Sequence, residues 1–194
     1  MTPDNRVVID FQNDNLSLRG RLAYIVMCIE AYLVNVYPER DWRFLAKALL
    51  LFPSMPLYGW MLFYGKLLPD THHTDKDKED IQAYLTPDEY QSLLQQYNVI
   101  TDDRAWNEFN TVLRIPNDLI WDAEDIASEI PAINEASWML RESVDQINKL
   151  GNILSAHHIE IPDIHMLDFL SIKDDDVWGP RFDGERLSII LNKD

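Results

Sequence analysis

The stretch SLRGRLAYIVMCIEAYLVNVY, residues 17–37, decides the fold class. It is the longest apolar-rich run in the chain, with a polar residue at its front and Pro38 behind it. Leu18, Arg21 and Leu22, Ile25, Ile29, Tyr32 and Leu33, and Val36 recur at steps of three and four, which places them on one helical stripe. The spacing predicts the central helix of an all-α, multi-helix bundle. A membrane span is not expected, because Arg19 and Arg21 open the run and Glu30 sits inside it. Cys28 lies among apolar neighbours and reads as a core thiol rather than a nucleophile.

Working outward, Val7, Val8, Ile9 and Phe11 in RVVIDF favour a short strand. After Pro38, Trp42, Leu45, Ala46, Leu49 and Phe52 give a second amphipathic helix ending at Pro53, expected to pack on the first as an αα-hairpin. Residues 57–68, apolar nearly all round, read as a buried third helix, with a ligand pocket as the alternative use of their aromatics. Residues 70–80 (DTHHTDKDKED) are polar throughout and read as an exposed linker within one helical domain spanning 1–194. Thr86-Pro87-Asp88-Glu89 is a helix start: the Thr caps, the Pro suits the first turn, and Glu89 stands three residues after the cap. Another helix begins near Thr101-Asp102-Asp103 and is expected to stop at Pro116. After Pro131, Ile133, Ala136, Leu140, Val144, Ile147, Gly151 and Leu154 mark the inner face of a long helix. Residues 163–172 suggest one more short helix. The tail, 187–191, suggests a terminal strand that pairs with 7–11.

At 194 residues the chain is long enough to bury roughly 70% of its unfolded surface. Its 46% hydrophobic content argues for a packed core and against disorder. One cysteine excludes an intrachain disulfide and fits a reducing cytoplasm. The start, MTPDNRVVIDF, has neither the basic opening nor the apolar core of a signal peptide.

The net charge of −16 is unevenly spread. Residues 1–69 hold seven basic and six acidic side chains, residues 70–145 hold five and eighteen, and residues 146–194 hold five and nine. The acidity therefore sits in the middle. Such a field disfavours nucleic acid and anionic membranes and favours basic partners or cations.

Residues 115–140 carry Asp118, Asp122, Glu124, Asp125, Glu129 and Glu135 with no Lys or Arg. On a helix over 117–129, Asp118, Asp122, Asp125 and Glu129 are 4, 3 and 4 apart and share one face. Like charges at that spacing repel by roughly 0.2–0.5 kcal/mol per pair. A docking face for a basic partner explains such a helix, with Trp121 and Trp138 as aromatic anchors; a solvated face with both tryptophans in the core is the alternative.

Two His/carboxylate clusters raise metal or proton-transfer chemistry. His72-His73 with Asp75 and Asp77 resembles the start of a calcium loop, but the sixth-position Gly is missing and Thr86 stands where the closing Glu belongs. His157-His158, Glu160, Asp163, His165 and Asp168 form the other cluster, although adjacent helical histidines point about 100° apart and share no face. There is no HExxH, CxxC, GxSxG, P-loop or GxGxxG. The expectation is no catalytic residue, no metal site and no cofactor. Arg19, Arg21, Arg40, Arg43 and Lys47, clustered around the first two helices, are expected to pair with acids of the middle segment.

The segment SLRGRLAYIVMCIEAYLVNVYPERDWRFLAKAL, residues 17–49, resembles the opening of small, acidic, helical bacterial immunity proteins encoded beside polymorphic or contact-dependent toxins. The resemblance is carried by Leu18, Arg19, Gly20 and Arg21 before an apolar helix, the Asp41-Trp42 pair, and the amphipathic helix that follows. It implies a protein that binds and blocks a cognate toxin, with no catalytic residues to transfer. The expected function is accordingly a cytoplasmic inhibitory binding protein. Its basic partner, which the resemblance implies is such a toxin, would meet Asp118, Trp121, Asp122, Asp125 and Glu129. The alternatives are a metal-dependent hydrolase using the His/carboxylate clusters and an acidic mimic of nucleic acid.

Overall fold

A computed structural model describes residues 15–71, 74–121, 133–173 and 176–192, without the side chains of Tyr58, Asp75, Ile120, Trp121 and residues 133–138. The elements are α-helices α1 (Leu18–Val36), α2 (Arg43–Leu49), α3 (Leu57–Gly65), α4 (Asp75–Gln82), α5 (Pro87–Asn98), α6 (Asp103–Trp121) and α7 (Ile133–Ala156). Two 3-10 helices, Ile164–Leu170 and Gly184–Leu187, follow. The all-α multi-helix bundle expected from the sequence is what the chain forms.

Every residue of α1 from 18 to 33 is buried, so the helix is covered all round rather than along one stripe. Its neighbours are α7, α6 and both 3-10 helices. Its three polar intruders are each answered. Arg19 donates from Nη1 to the Gly179 carbonyl at 2.9 Å. Arg21 donates from Nε to the Leu16 carbonyl at 3.1 Å and from Nη1 to the Leu140 carbonyl at 3.0 Å and Ser143 Oγ at 3.2 Å. Glu30 accepts from Ser188 Oγ and from the Ile189 N–H, both at 2.7 Å. Cys28 is fully buried, and burial pushes its thiol up to about 12, which keeps it protonated and inert at neutral pH.

Glu30 also explains the tail. Residues 187–191 are not the strand their composition suggests. Their backbone N–H groups turn inward, Ile189 to Glu30 and Ile190 and Leu191 to Ser188 Oγ at 3.2 and 2.9 Å, so none is left to form a ladder. The proposed partner strand at 7–11 lies outside the described residues, and among the described residues β pairing is limited to isolated bridges, Leu16–Ser171 and Lys173–Asp176. Burial raises the Glu30 carboxyl above its ordinary value of 4.5, against the lowering effect of the Ser188 hydroxyl and of the nearby Ile189 and Ile190 backbone N–H groups. A raised acid binds its proton more tightly in the folded chain, so its favourable contribution is complete below pH 4.5 and is lost as pH rises through the folded value. Urea unfolding across pH 4 to 8 should therefore show the stability of the natural chain falling relative to Glu30→Gln as pH rises. A difference independent of pH would contradict this.

Three further expectations are corrected. The polar stretch 70–80 is not a linker throughout: Thr74 and Asp77 form a capping box, the Asp77 carboxylate accepting from the Thr74 N–H at 2.9 Å, and start α4. Ile81, fully buried, anchors that short helix. Pro116 does not end α6, which continues to Trp121. A proline forfeits a backbone hydrogen bond. The carbonyl it leaves without a donor is that of Val112; the neighbouring Leu113 carbonyl accepts the Tyr64 hydroxyl of α3 at 2.8 Å, so α6 is bonded to α3 beside the break. Finally, α2 packs chiefly on α5 rather than along α1 as a hairpin. Lys47 of α2 reaches Glu89 of α5 at 3.3 Å, the kind of middle-segment partner expected for it, whereas Arg43 pairs locally with Asp41 at 2.5 Å.

Candidate functional site

The buried third helix expected over 57–68 takes shape as α3, most of whose side chains point into the core. Trp60 and Tyr64 are fully buried and stack at 5.0 Å, and the Trp60 indole donates to the Ala48 carbonyl at 2.9 Å. The outer side of α3 faces α6 and leaves a groove of about 360 Å³ between them. Met61, Leu62 and Leu68 give it apolar walls, and Asn117 and Asp118 of α6 line the opposite side. Leu62 is one of the larger apolar side chains left exposed, at 39%.

The charged side chains lining the groove are Lys66, Arg114 and Asp118, and Asp70, Asp77 and Asp80 hold the two cations from beside it. Lys66 is held between Asp77, at 3.2 Å, and Asp80. Arg114 donates to Asp70 at 2.6 Å and lies 3.8 Å from Asp118 one turn further along α6. These six side chains set four carboxylates against two cations. Hydrogen bonds from the Thr74 hydroxyl and backbone, with Lys66 behind them, bring the Asp77 carboxyl down to about 2, so it is ionised at any physiological pH. Lys66 is raised, first by its bond to Asp80, and stays charged.

Asn117 is the unusual member. Only 9% of it is exposed, and its Oδ1 has no hydrogen-bond partner among the described residues. Gly65 is what lets the amide sit there: a Cβ at position 65 would come within 3.0 Å of that oxygen.

Of the residues selected from sequence, Asp118 is therefore placed on this groove, with its side chain 49% exposed. Trp121 is the last residue of α6, but its side chain lies outside the described set, as does that of Trp138. Asp122, Asp125 and Glu129 also lie outside the described residues. The acid-only window begins one residue after Arg114, and that arginine faces the first of its acids.

The histidine cluster at 157–168 does not assemble as a unit. His165 and Asp168 approach to 3.5 Å on the surface, whereas His157 turns away to Glu108 of α6, its Nε2 2.6 Å from Oε1. The same oxygen accepts the Tyr32 hydroxyl of α1 at 3.0 Å. Burial above all, then Tyr37 and the Glu108 carboxylate, pushes the Tyr32 hydroxyl up and keeps it a donor. Beside it His158 closes α7 in left-handed backbone, φ 58°, with the Ile159 N–H reaching back to the Leu154 carbonyl at 2.9 Å. This Tyr–Glu–His bridge ties three helices together, and no local pattern reveals it because its members are far apart in sequence. Among the described residues no three His, Cys, Asp or Glu side chains converge as metal ligands would, and His72 and His73 lie outside that set. Nor, among the described residues, is any helix long and apolar enough to cross a membrane.

Fold and groove together define an all-helical protein with a partly apolar cleft whose charged lining, Lys66, Arg114 and Asp118, is ion-paired. No family model, curated protein or solved structure matches the chain.

Proposed function

We propose that the chain is a non-catalytic binding protein that captures a basic protein on its acidic side, as a cytoplasmic immunity protein captures a cognate toxin. The observation that carries this reading is the surface beside the α3–α6 groove, where Asp70, Asp77, Asp80 and Asp118 outnumber Lys66 and Arg114, the two cations they pair with. Asp118 stands on that groove, α6 ends at Trp121, and Asp122, Asp125 and Glu129 follow in sequence. An apolar centre with a charged rim suits protein association, and the surrounding field would speed encounter with a basic surface. The resemblance of residues 17–49 to immunity proteins supports a toxin as that partner. A basic protein fits this field better than nucleic acid or an anionic membrane, both of which it repels.

The test is the affinity for the product of the adjacent gene, measured against ionic strength, before and after changing Asp118, Asp122, Asp125 and Glu129 to Asn or Gln. Binding is expected to weaken by about tenfold or more, roughly 1.4 kcal/mol, with a shallower salt dependence. Unchanged affinity and slope would remove this face as the docking site.

A further inference from the structure

We propose that Met166 is a redox-modification site: hydrogen peroxide or a related peroxide converts its thioether to the sulfoxide on the folded chain, turning the outer edge of the Ile164–Leu170 helix from apolar to polar. The proposal is independent of the binding function above. Five methionines, Met27, Met55, Met61, Met139 and Met166, lie among the described residues. Met27, Met61 and Met139 are buried and Met55 is half-buried. Met166 is 56% exposed, more than any other large apolar side chain among the described residues.

Its position explains why that exposure is tolerated. Residues 164–170 form a 3-10 helix, in which side chains three apart eclipse one another. Leu167 and Leu170, both fully buried, seat its inner edge, with half-buried Ile164 in line with them. Met166 and Phe169, the latter 49% exposed, share an outer edge in the same way. Phe169 carries this apolar edge on to Phe182, the two rings edge-on at 5.8 Å. The thioether therefore stands at the most accessible point of an exposed apolar edge, while the helix is held by the other one.

The step needs only the oxidant. The sulfur attacks one peroxide oxygen, so that the S–O bond forms as the O–O bond breaks. The displaced hydroxide takes the proton from the new S–OH and leaves as water; sulfur is oxidised by two electrons and the peroxide is reduced. The product is a polar hydrogen-bond acceptor. At Met27, Met61 or Met139 it would be buried, whereas at Met166 water hydrates it.

The test is a hydrogen peroxide time course on the full-length chain, with oxidation at each methionine read by peptide mapping, which keeps Met1 apart. Met166 should react first, and at least about tenfold faster than Met27, Met61 and Met139, because a buried sulfur reacts only when its segment opens. In urea beyond the unfolding transition the five rates should converge. The chain singly oxidised at Met166 should melt at the same temperature as the natural chain and elute earlier from a hydrophobic-interaction column. Met166→Leu should abolish that peroxide-induced shift, and Met166→Gln should elute early without peroxide. Met55 or a core methionine reacting as fast as Met166, a lower melting temperature after oxidation at Met166, or a retention shift of equal size in Met166→Leu would overturn the proposal. The mapping uses the natural chain, so it decides the matter even where a variant does not fold.

Discussion

Replacing Trp60 by alanine is expected to cost about 3–5 kcal/mol, the range for emptying a large aromatic site in a packed core. Trp60 is fully buried, lies flat on Tyr64 with 5° between the planes, and meets Phe52 edge-on at 5.7 Å. Its indole N–H also joins α3 to the Ala48 carbonyl at the end of α2, and losing that bond adds about 1 kcal/mol. A domain of this kind has about 5–15 kcal/mol in total, so the loss takes from about a third to nearly all of it. Trp60→Phe separates the two contributions, because it keeps much of the ring and loses only the donor and some volume. Urea midpoints should fall in the order natural chain, Phe, Ala, with little change in slope. A loss below about 1 kcal/mol for alanine would mean that α3 is not seated as described.

Which parts of this architecture are visible in the sequence follows from how local their causes are. The start of α5 is fully legible because its cap, first-turn proline and reciprocal Glu89 lie within four residues. The central position of α1 is legible because its apolar run leaves few other fates. By contrast, Pro116 reads as a stop because the packing of α6 on α3, with its Tyr64–Leu113 bond, comes from a different element. The inner face of α7 shows the same effect. Periodicity selects Leu140 and Val144, yet both are only partly buried, and the covered residues beside them are Met139 and Ser143. Ser143 tolerates the interior because Arg21 of α1 reaches its hydroxyl. The Thr74–Asp77 box of α4 was present in the sequence, but a stretch with so little apolar content gives periodicity nothing to detect. At the candidate site, Asp118 is marked by its spacing from other acids. Asn117 is not, since its burial depends on Gly65 of α3 and on a helix continuing where a proline predicts an end.

Gly179→Ala is the second large effect, and it falls on the N-terminus of α1. The first helical N–H groups are satisfied partly from afar: Leu18 donates to the Val177 carbonyl at 2.8 Å, Arg19 to the Trp178 carbonyl at 3.1 Å, and Gly20 to Ser17 Oγ at 3.2 Å. Residues 177–179 thus complete the cap of the central helix, and the Gly179 carbonyl also receives the Arg19 guanidinium. Gly179 has φ +76°, and a Cβ there would fall 2.0 Å from Ser17 Oγ and 2.5 Å from Ser17 Cβ. The backbone conformation alone costs an L-residue about 1–2 kcal/mol. The overlap adds to it, because Ser17 is fully buried and cannot swing away without surrendering a cap worth about 1 kcal/mol. A total of roughly 3 kcal/mol or more is expected, and the loss should appear first as weakened amide-exchange protection at Leu18 and Arg19. A double-mutant cycle separates the terms. In a Ser17→Gly background both clashing atoms are gone, so Gly179→Ala should then cost only the backbone strain, about 1–2 kcal/mol. Equal costs in the two backgrounds would show that 177–179 does not press on the start of α1, and the tertiary cap would have to be abandoned.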